Sequence, residues 1–226
     1  MAKEKVKKEK PVNTHPNRIG IKEAAGYTIA EAGNMFNLTY ISSFLKVFLT
    51  DVIGISAGKA GTMFMVTRIW DCINDPIWGA MVAKKAPNKE GKFRPYLKWI
   101  SFPLALSTLL CFAPYHKLGL GPGMLLLLAY VTYIFYGMMY TGMNIPFGSL
   151  ASVITDDPAG RTLLSTFRTV GAGLGGAAPL IIAPFIIYQG TGEYNRAGKE
   201  IEVADANGML VFGIIMGVLS IFSFFI

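Results

Sequence analysis

The chain has 226 residues, 52% hydrophobic and 15% charged, with a net charge of +7; its mean hydropathy is +0.43 and its pI is near 9.4. Soluble domains carry about 25% charged residues, so the composition excludes an ordinary soluble globular protein and points to a membrane. The positive excess is explained by two clusters, one before the first apolar stretch and one after the second, which argues against nucleic acid as a partner.

In chain order, residues 1–22, opening with "MAKEKVKKEK", read as a solvated, disordered basic tail within reach of anionic lipid headgroups. No cleavable signal is expected, because the basic run leads into polar, proline-rich sequence and the first apolar stretch is too long for a signal-peptide core. Apolar spans follow at 27–50, 60–83, 98–115, 123–151, 163–189 and 208–226. Each can cross about 30 Å of hydrocarbon as a helix. A β-barrel would need alternating strands, and "GMLLLLAYVTYIFYGMMY" has no period of two. The expected fold is an all-α membrane protein, with residues 23–226 as a six-helix transmembrane bundle. The sequence reaches "SIFSFFI" within the sixth span without a basic flank, so the bundle is expected to be truncated in its sixth helix.

Lysine and arginine set the expected orientation. Lys3, Lys5, Lys7, Lys8, Lys10, Arg18 and Lys22 precede the first span, and Lys84, Lys85, Lys89, Lys92, Arg94 and Lys98 follow the second. Both segments are therefore expected on the cytoplasmic side. The opposite loops hold Lys59, Lys117, and Arg196 with Lys199, the last pair outnumbered by Glu193, Glu200, Glu202 and Asp205. Cys72 and Cys111 both fall in spans, where core packing is the expected role rather than a disulfide or a zinc site.

The second span carries "TRIWDCINDP", an arginine and two aspartates in apolar surroundings. Each such charge at a helix centre costs about 2.5–3.5 kcal/mol to insert, against about 0.3–0.6 returned by each large apolar residue. Arg68, Asp71 and Asp75 are spaced by three and four, which places them in one stripe that must face protein or water, with Asn74 beside it. Ile69, Ile73 and Ile77 form a separate row. Pro76 also frees a carbonyl one turn earlier. Two carboxylates, an amide and a free carbonyl are hard oxygen ligands suited to a hard cation or a proton. A purely structural stripe would pair Arg68 with one aspartate and leave the other unmatched. An intramembrane aspartyl protease needs carboxylates facing each other from two helices, and these share one.

Elsewhere, Asn34 and Asn37 stand at helical spacing in the first span, Thr141 and Asn144 in the fourth, and Arg168 early in the fifth. Membrane asparagines and threonines are commonly interhelical hydrogen-bond partners. The Arg168 guanidinium offers several donors to a hydroxyl-rich or anionic ligand. "VGAGLGGAAP" sets Gly171 and Gly175 four apart, as close helix packing requires.

Taken together, "RIWDCINDPIWG", "GKFRPYLKW" and "YTGMNIPFGSLASVITDDPAGRT" resemble the glycoside-pentoside-hexuronide:cation symporter family of the major facilitator superfamily, from about Tyr27 onward. The resemblance implies a twelve-helix transporter of two rocking halves, of which this chain is the N-terminal six-helix half, with substrate held between the halves. It implies a coupling-cation site, for Na+ or H+, at Asp71, Asp75, Asn74, Thr141 and Asn144. It places a substrate site at Asn34, Met35, Asn144, Gly148 and Arg168, where Asn34 and Met35 replace a lysine–aspartate pair of melibiose permease, and Asn144 and Gly148 replace an aspartate and a tryptophan. Arg68, Lys92, Arg94 and Arg161 are the expected gating or helix-packing residues. The implied activity is cation-coupled sugar or glycoside symport across the cell membrane, with the N-terminus cytoplasmic, no catalytic residues and no cofactor. The expected partners are the sugar, the cation, membrane lipid and a C-terminal half. A lysolipid-type carrier of the same fold and a non-transporting fragment are the alternatives.

Overall fold

The computed structural model describes residues 19–87, 91–194 and 200–225. Residues 1–18 of the expected tail, and Lys89, Arg196 and Lys199, lie outside the described residues. Helix α1 (Ile21–Val47) begins two residues before the expected end of the tail and runs into a π-helical turn, Phe48–Val52. Next come α2 (Ala57–Lys84), α3 (Arg94–Cys111), a 3₁₀ turn (Tyr115–Leu118) and α4 (Pro122–Ile154). Helix α5 (Pro158–Ile182), the single turn α6 (Pro184–Ile187), an antiparallel hairpin of β1 (Tyr188–Tyr194) and β2 (Glu200–Ala204), and α7 (Ala206–Ser223) complete the order. Each expected span thus has its helix.

Local chemistry sets the boundaries. Pro122 and Pro158 open α4 and α5, where their missing N–H costs nothing. Asp157 and Asp205 cap α5 and α7 by accepting from the amides of Gly160 at 3.0 Å and Gly208 at 2.7 Å. The fifth span was expected to stay helical to 189, but Pro184 interrupts it and the chain turns into β1 after Ile187. The hairpin is the departure from an all-helical reading.

Among the described residues, α4, the α5–α6 segment and α7 are the three helices both long and apolar enough to cross a membrane. Helices α1 and α2 have the length, at 27 and 28 residues. Their apolarity is lowered by Glu31, Asn34 and Asn37 in one, and by Arg68, Asp71 and Asp75 in the other.

The most extensive helix contact is α1 with α5. Its cause is the small-residue seam on α5: a Cβ on Gly171 would collide with the Thr28 carbonyl, and one on Gly175 with that of Ala32. Thr28 Oγ1 also donates to the Phe167 carbonyl at 3.3 Å across this seam. Helix α7 packs on α1 and α3, while α4 bridges α3 and α2. Tyr40 ties α1 to its neighbours, stacking on Phe112 with centroids 4.3 Å apart and donating its hydroxyl to the Met209 carbonyl at 2.6 Å. Asn37 acts as an interhelical partner, accepting from Thr108 at 3.2 Å. Cys111 is buried as expected, but Cys72 is exposed, because it lies on α2 away from the face that packs on α4. Ile69, Ile73 and Ile77 are exposed beside it.

Replacing Gly175 with leucine forces apart backbones already in contact, and overpacking of this kind costs about 1–3 kcal/mol or more. Gly175→Leu is expected to lower the thermal midpoint and folded yield of the detergent-solubilised protein. Gly173→Ala, at a position with open space around it, is expected to leave both unchanged in the same fluorescence-detected gel-filtration assay.

Candidate functional site

One face of α4 organises the polar groups. Tyr133, Gly137 and Thr141 follow at intervals of four, then Asn144 and Gly148 at three and four, so they form one stripe. Against its first part lies α2. Phe64 meets Tyr133 edge-on with centroids 5.2 Å apart, and Trp78 lies over Gly142, where a Cβ would approach its ring to 2.8 Å. Asp71 sits over Gly137, with room for a Cβ only 3.2 Å from Oδ1. Thr141 Oγ1 donates to Asp75 Oδ1 at 2.9 Å, the link between α4 and the second aspartate.

The two carboxylates therefore have different partners. Arg68 pairs with Asp71 at 3.5 Å, from a side chain 73% exposed against 27% for the aspartate. Such a distance and exposure make a weak pair. Asp75 is exposed and has the Thr141 hydroxyl instead. Asn74 points inward; it is buried, and its Nδ2 has no hydrogen-bond partner among the described residues. A small cavity of about 60 Å³ opens between α1, α2 and α4, lined by Arg68, Asp71, Gly137, Tyr140 and Thr141 among others. Of the expected cation ligands, Asp71 and Thr141 line this cavity and Asp75 is tied to it by the Thr141 hydrogen bond, whereas neither Asn74 nor Asn144 is among its lining.

Asn144 belongs to a second cluster. Arg168 reaches back from α5 to Glu31 on α1, with Nε 3.3 Å from Oε1, and donates through Nη2 to Asn144 Oδ1 at a long 3.5 Å. Its guanidinium lies over Phe147, 5.4 Å from the ring centroid, and Phe147 stacks on Tyr27 at 4.7 Å. Gly148 leaves open space beside Arg168: a Cβ there would come no nearer than 3.8 Å to Nη1. Asn34 is fully buried beside Glu31 and Tyr140 but without hydrogen-bond geometry to either. Glu31 Oε2 also has no partner among the described residues. Met35 follows Glu31 by one turn of α1 and is half-buried.

Glu31 was missed in the sequence, although a signal existed: Tyr27, Glu31 and Asn34 share one helical face. It restores a helix 1 carboxylate one turn before the Asn34–Met35 pair. Phe147 was likewise missed; it supplies an aromatic ring next to Gly148, but a fully buried one.

Of the expected gating or helix-packing residues, Arg68 belongs to the first cluster through its pairing with Asp71, and the other three stand apart from both clusters. Lys92 Nζ donates to the Ala83 carbonyl at 3.0 Å, and Arg94 opens α3. Arg161 donates through Nε to the Thr155 carbonyl at 3.1 Å and lies 3.7 Å from Asp156. A second, larger cavity of about 470 Å³ is near these helix ends and includes Arg94 but none of the carboxylates of the two clusters.

In a helical bundle with membrane-spanning helices, charges that find partners on neighbouring helices mark a functional site. Residues 26–226 match the MFS/sugar transport protein family. The chain belongs to that family, as part of the glycoside-pentoside-hexuronide:cation symporter branch of the major facilitator superfamily. It is 34% identical over 213 residues to the isoprimeverose transporter of Lactiplantibacillus pentosus, covering 94% of this chain and 42% of that protein. It is 35% identical over 208 residues to an uncharacterized symporter of Bacillus subtilis (strain 168), covering 92% and 43%. A candidate glycoside/cation symporter of Escherichia coli (strain K12) is 33% identical over 177 residues, covering 78% and 38%. The chain thus spans about two fifths of the length of these relatives.

Because Glu31 is 3% exposed and Arg168 34%, removing either leaves the other charge poorly compensated. Glu31→Ala and Arg168→Ala are each expected to lower stability. A double-mutant cycle should return a coupling of about 0.5–3 kcal/mol, and simple additivity in denaturant titrations of the solubilised protein would show that the pair is not formed.

Proposed function

We propose that the chain forms the N-terminal half of a cation-coupled glycoside symporter in the cell membrane, with its N-terminus on the cytoplasmic side. The observation that carries the proposal is the α4 stripe, which touches Asp71 at Gly137, Asp75 through Thr141 and the α5 arginine through Asn144. A cation at one end and a sugar at the other then bear on the same helix.

In this reading Na+ or H+ binds at Asp71 and Asp75, with Thr141 and Asn74 completing the oxygen set. Neutralising the two carboxylates removes the repulsion and desolvation that oppose an occluded state. The sugar hydroxyls are bound by Arg168, Glu31 and Asn34; the unpartnered buried Glu31 Oε2 and the Asn34 amide atoms are suited to a ligand with alternating donors and acceptors. Asn144 and the space beside Gly148 orient the ring, and Met35 borders it. A second six-helix half closes the site, and rocking of the halves carries both ligands across. Lys92 and Arg161 pair across the halves at the inner gate. The two ligands support each other's binding reciprocally, because both stabilise the same arrangement.

Isoprimeverose, the sugar in the name of one relative, is the first probe. In cells expressing the full-length transporter, Asp71→Asn is expected to abolish Na+- or pH-dependent accumulation while surface expression persists. Thr141→Val removes one oxygen of the proposed ligand set and is expected to raise the Na+ concentration for half-maximal uptake roughly tenfold; for H+ the loss of its hydrogen bond to the charged Asp75 would instead favour protonation. Unchanged cation dependence in Asp71→Asn would overturn the assignment.

A further inference from the structure

The cavity of about 470 Å³ is larger than the site between α2 and α4 and lies apart from it. Its volume is within the roughly 300–1,000 Å³ of ordinary ligand pockets. It is bounded by the first turns of α1 and α3, the last turns of α4, and Phe224 and Phe225 after α7. The floor is apolar: Tyr27, Leu97, Phe147 and Phe224 are buried, and Leu150 and Ile154 complete the wall. The rim carries Lys22 and Arg94 against one carboxylate, Glu23, among the described residues. That carboxylate is already engaged, accepting from the Gly20 amide at 2.9 Å. Among the described residues, Lys22 and Arg94 form no ion pair and no side-chain hydrogen bond.

A basic rim over an apolar floor, at the end of the bundle where the basic loops gather, matches one kind of occupant. We propose that this cavity binds an anionic phospholipid, its phosphate between Lys22 and Arg94 and the upper part of an acyl chain against Leu150, Ile154 and Phe224. Charge complementarity selects it: the rim has a surplus of cations, and anionic lipid headgroups are attracted to basic pockets between membrane helices. The sequence before α1 does not suit the rim, because Lys3, Lys5, Lys7, Lys8 and Lys10 make it cationic too. An apolar peptide would leave the rim charges unmatched, and a free phosphate would leave the floor uncovered. Tyr27 and Phe147 form both this floor and the support beneath Arg168. A lipid here would brace the second cluster from behind.

The test is native mass spectrometry of the full chain in detergent, titrated with phosphatidylglycerol or phosphatidylcholine, together with thermal midpoints. Phosphatidylglycerol is expected to be retained at least tenfold better than phosphatidylcholine and to raise the midpoint. Lys22→Gln/Arg94→Gln is expected to reduce that retention at least tenfold, while Lys84→Gln/Lys85→Gln, which removes equal charge outside the cavity, preserves it. Leu150→Trp fills the apolar wall with the rim charges intact and is expected to displace the lipid; it provides the reading if the double rim variant does not fold. Equal binding of the two lipids, equal loss in the two double variants, unaltered retention in Leu150→Trp, or displacement of lipid by millimolar inorganic phosphate would each overturn the proposal.

Discussion

The structure depends on how a hydrocarbon-embedded bundle accommodates a cationic side chain on α5. Arg168 lies one turn before Gly171 on α5, and the glycine seam of Gly171 and Gly175 brings that helix into backbone contact with α1. A larger residue at either glycine would hold the helices apart and put Glu31 beyond the guanidinium. With the seam closed, the charge on Arg168 is met at 3.3 Å by a carboxylate that is almost wholly buried. Small residues that look like simple packing therefore decide where a strong electrostatic pair can form.

The same reasoning separates the two aspartates of α2. They share a stripe, so helical geometry alone treats them as equivalent. Tertiary contacts do not: Arg68 reaches Asp71, while the Thr141 hydroxyl reaches Asp75. Gly137 matters because it lets Asp71 lie against α4 without a side chain between them. Helix α4 thus links two polar clusters of different character, one rich in carboxylate oxygen and one centred on a guanidinium. The cation and sugar proposed for this chain would call for different donors in the same way.

Much of this was legible residue by residue. Insertion cost marked "TRIWDCINDP" as exceptional, and spacing put its charges on one side of the helix. The glycine pattern of α5 identified a packing seam, and Asn37 proved to be the interhelical partner that membrane asparagines commonly are. Glu31 was harder to recognise, because a lone acid near the start of a span gives no local hint of its partner 137 positions away at Arg168. The hairpin of β1 and β2 was obscured by the apolar run before it; only the break at Pro184 separates the two. Cys72 was misjudged for a similar reason. Being in a span says nothing about which side of the helix meets protein, and its side is exposed.

By itself the sequence determined the class: helices rather than strands, a membrane rather than water, and an α2 stripe that must not face lipid. These follow from local free energies of transfer and from helical periodicity, both carried by neighbouring residues. The pairings were decided only by tertiary structure: Glu31 with Arg168, Thr141 with Asp75, and Asn144 with the arginine rather than with the aspartates. They depend on which helices touch and how closely, and that is set by a few glycines and by the order in which the helices pack, not by any property of the paired residues.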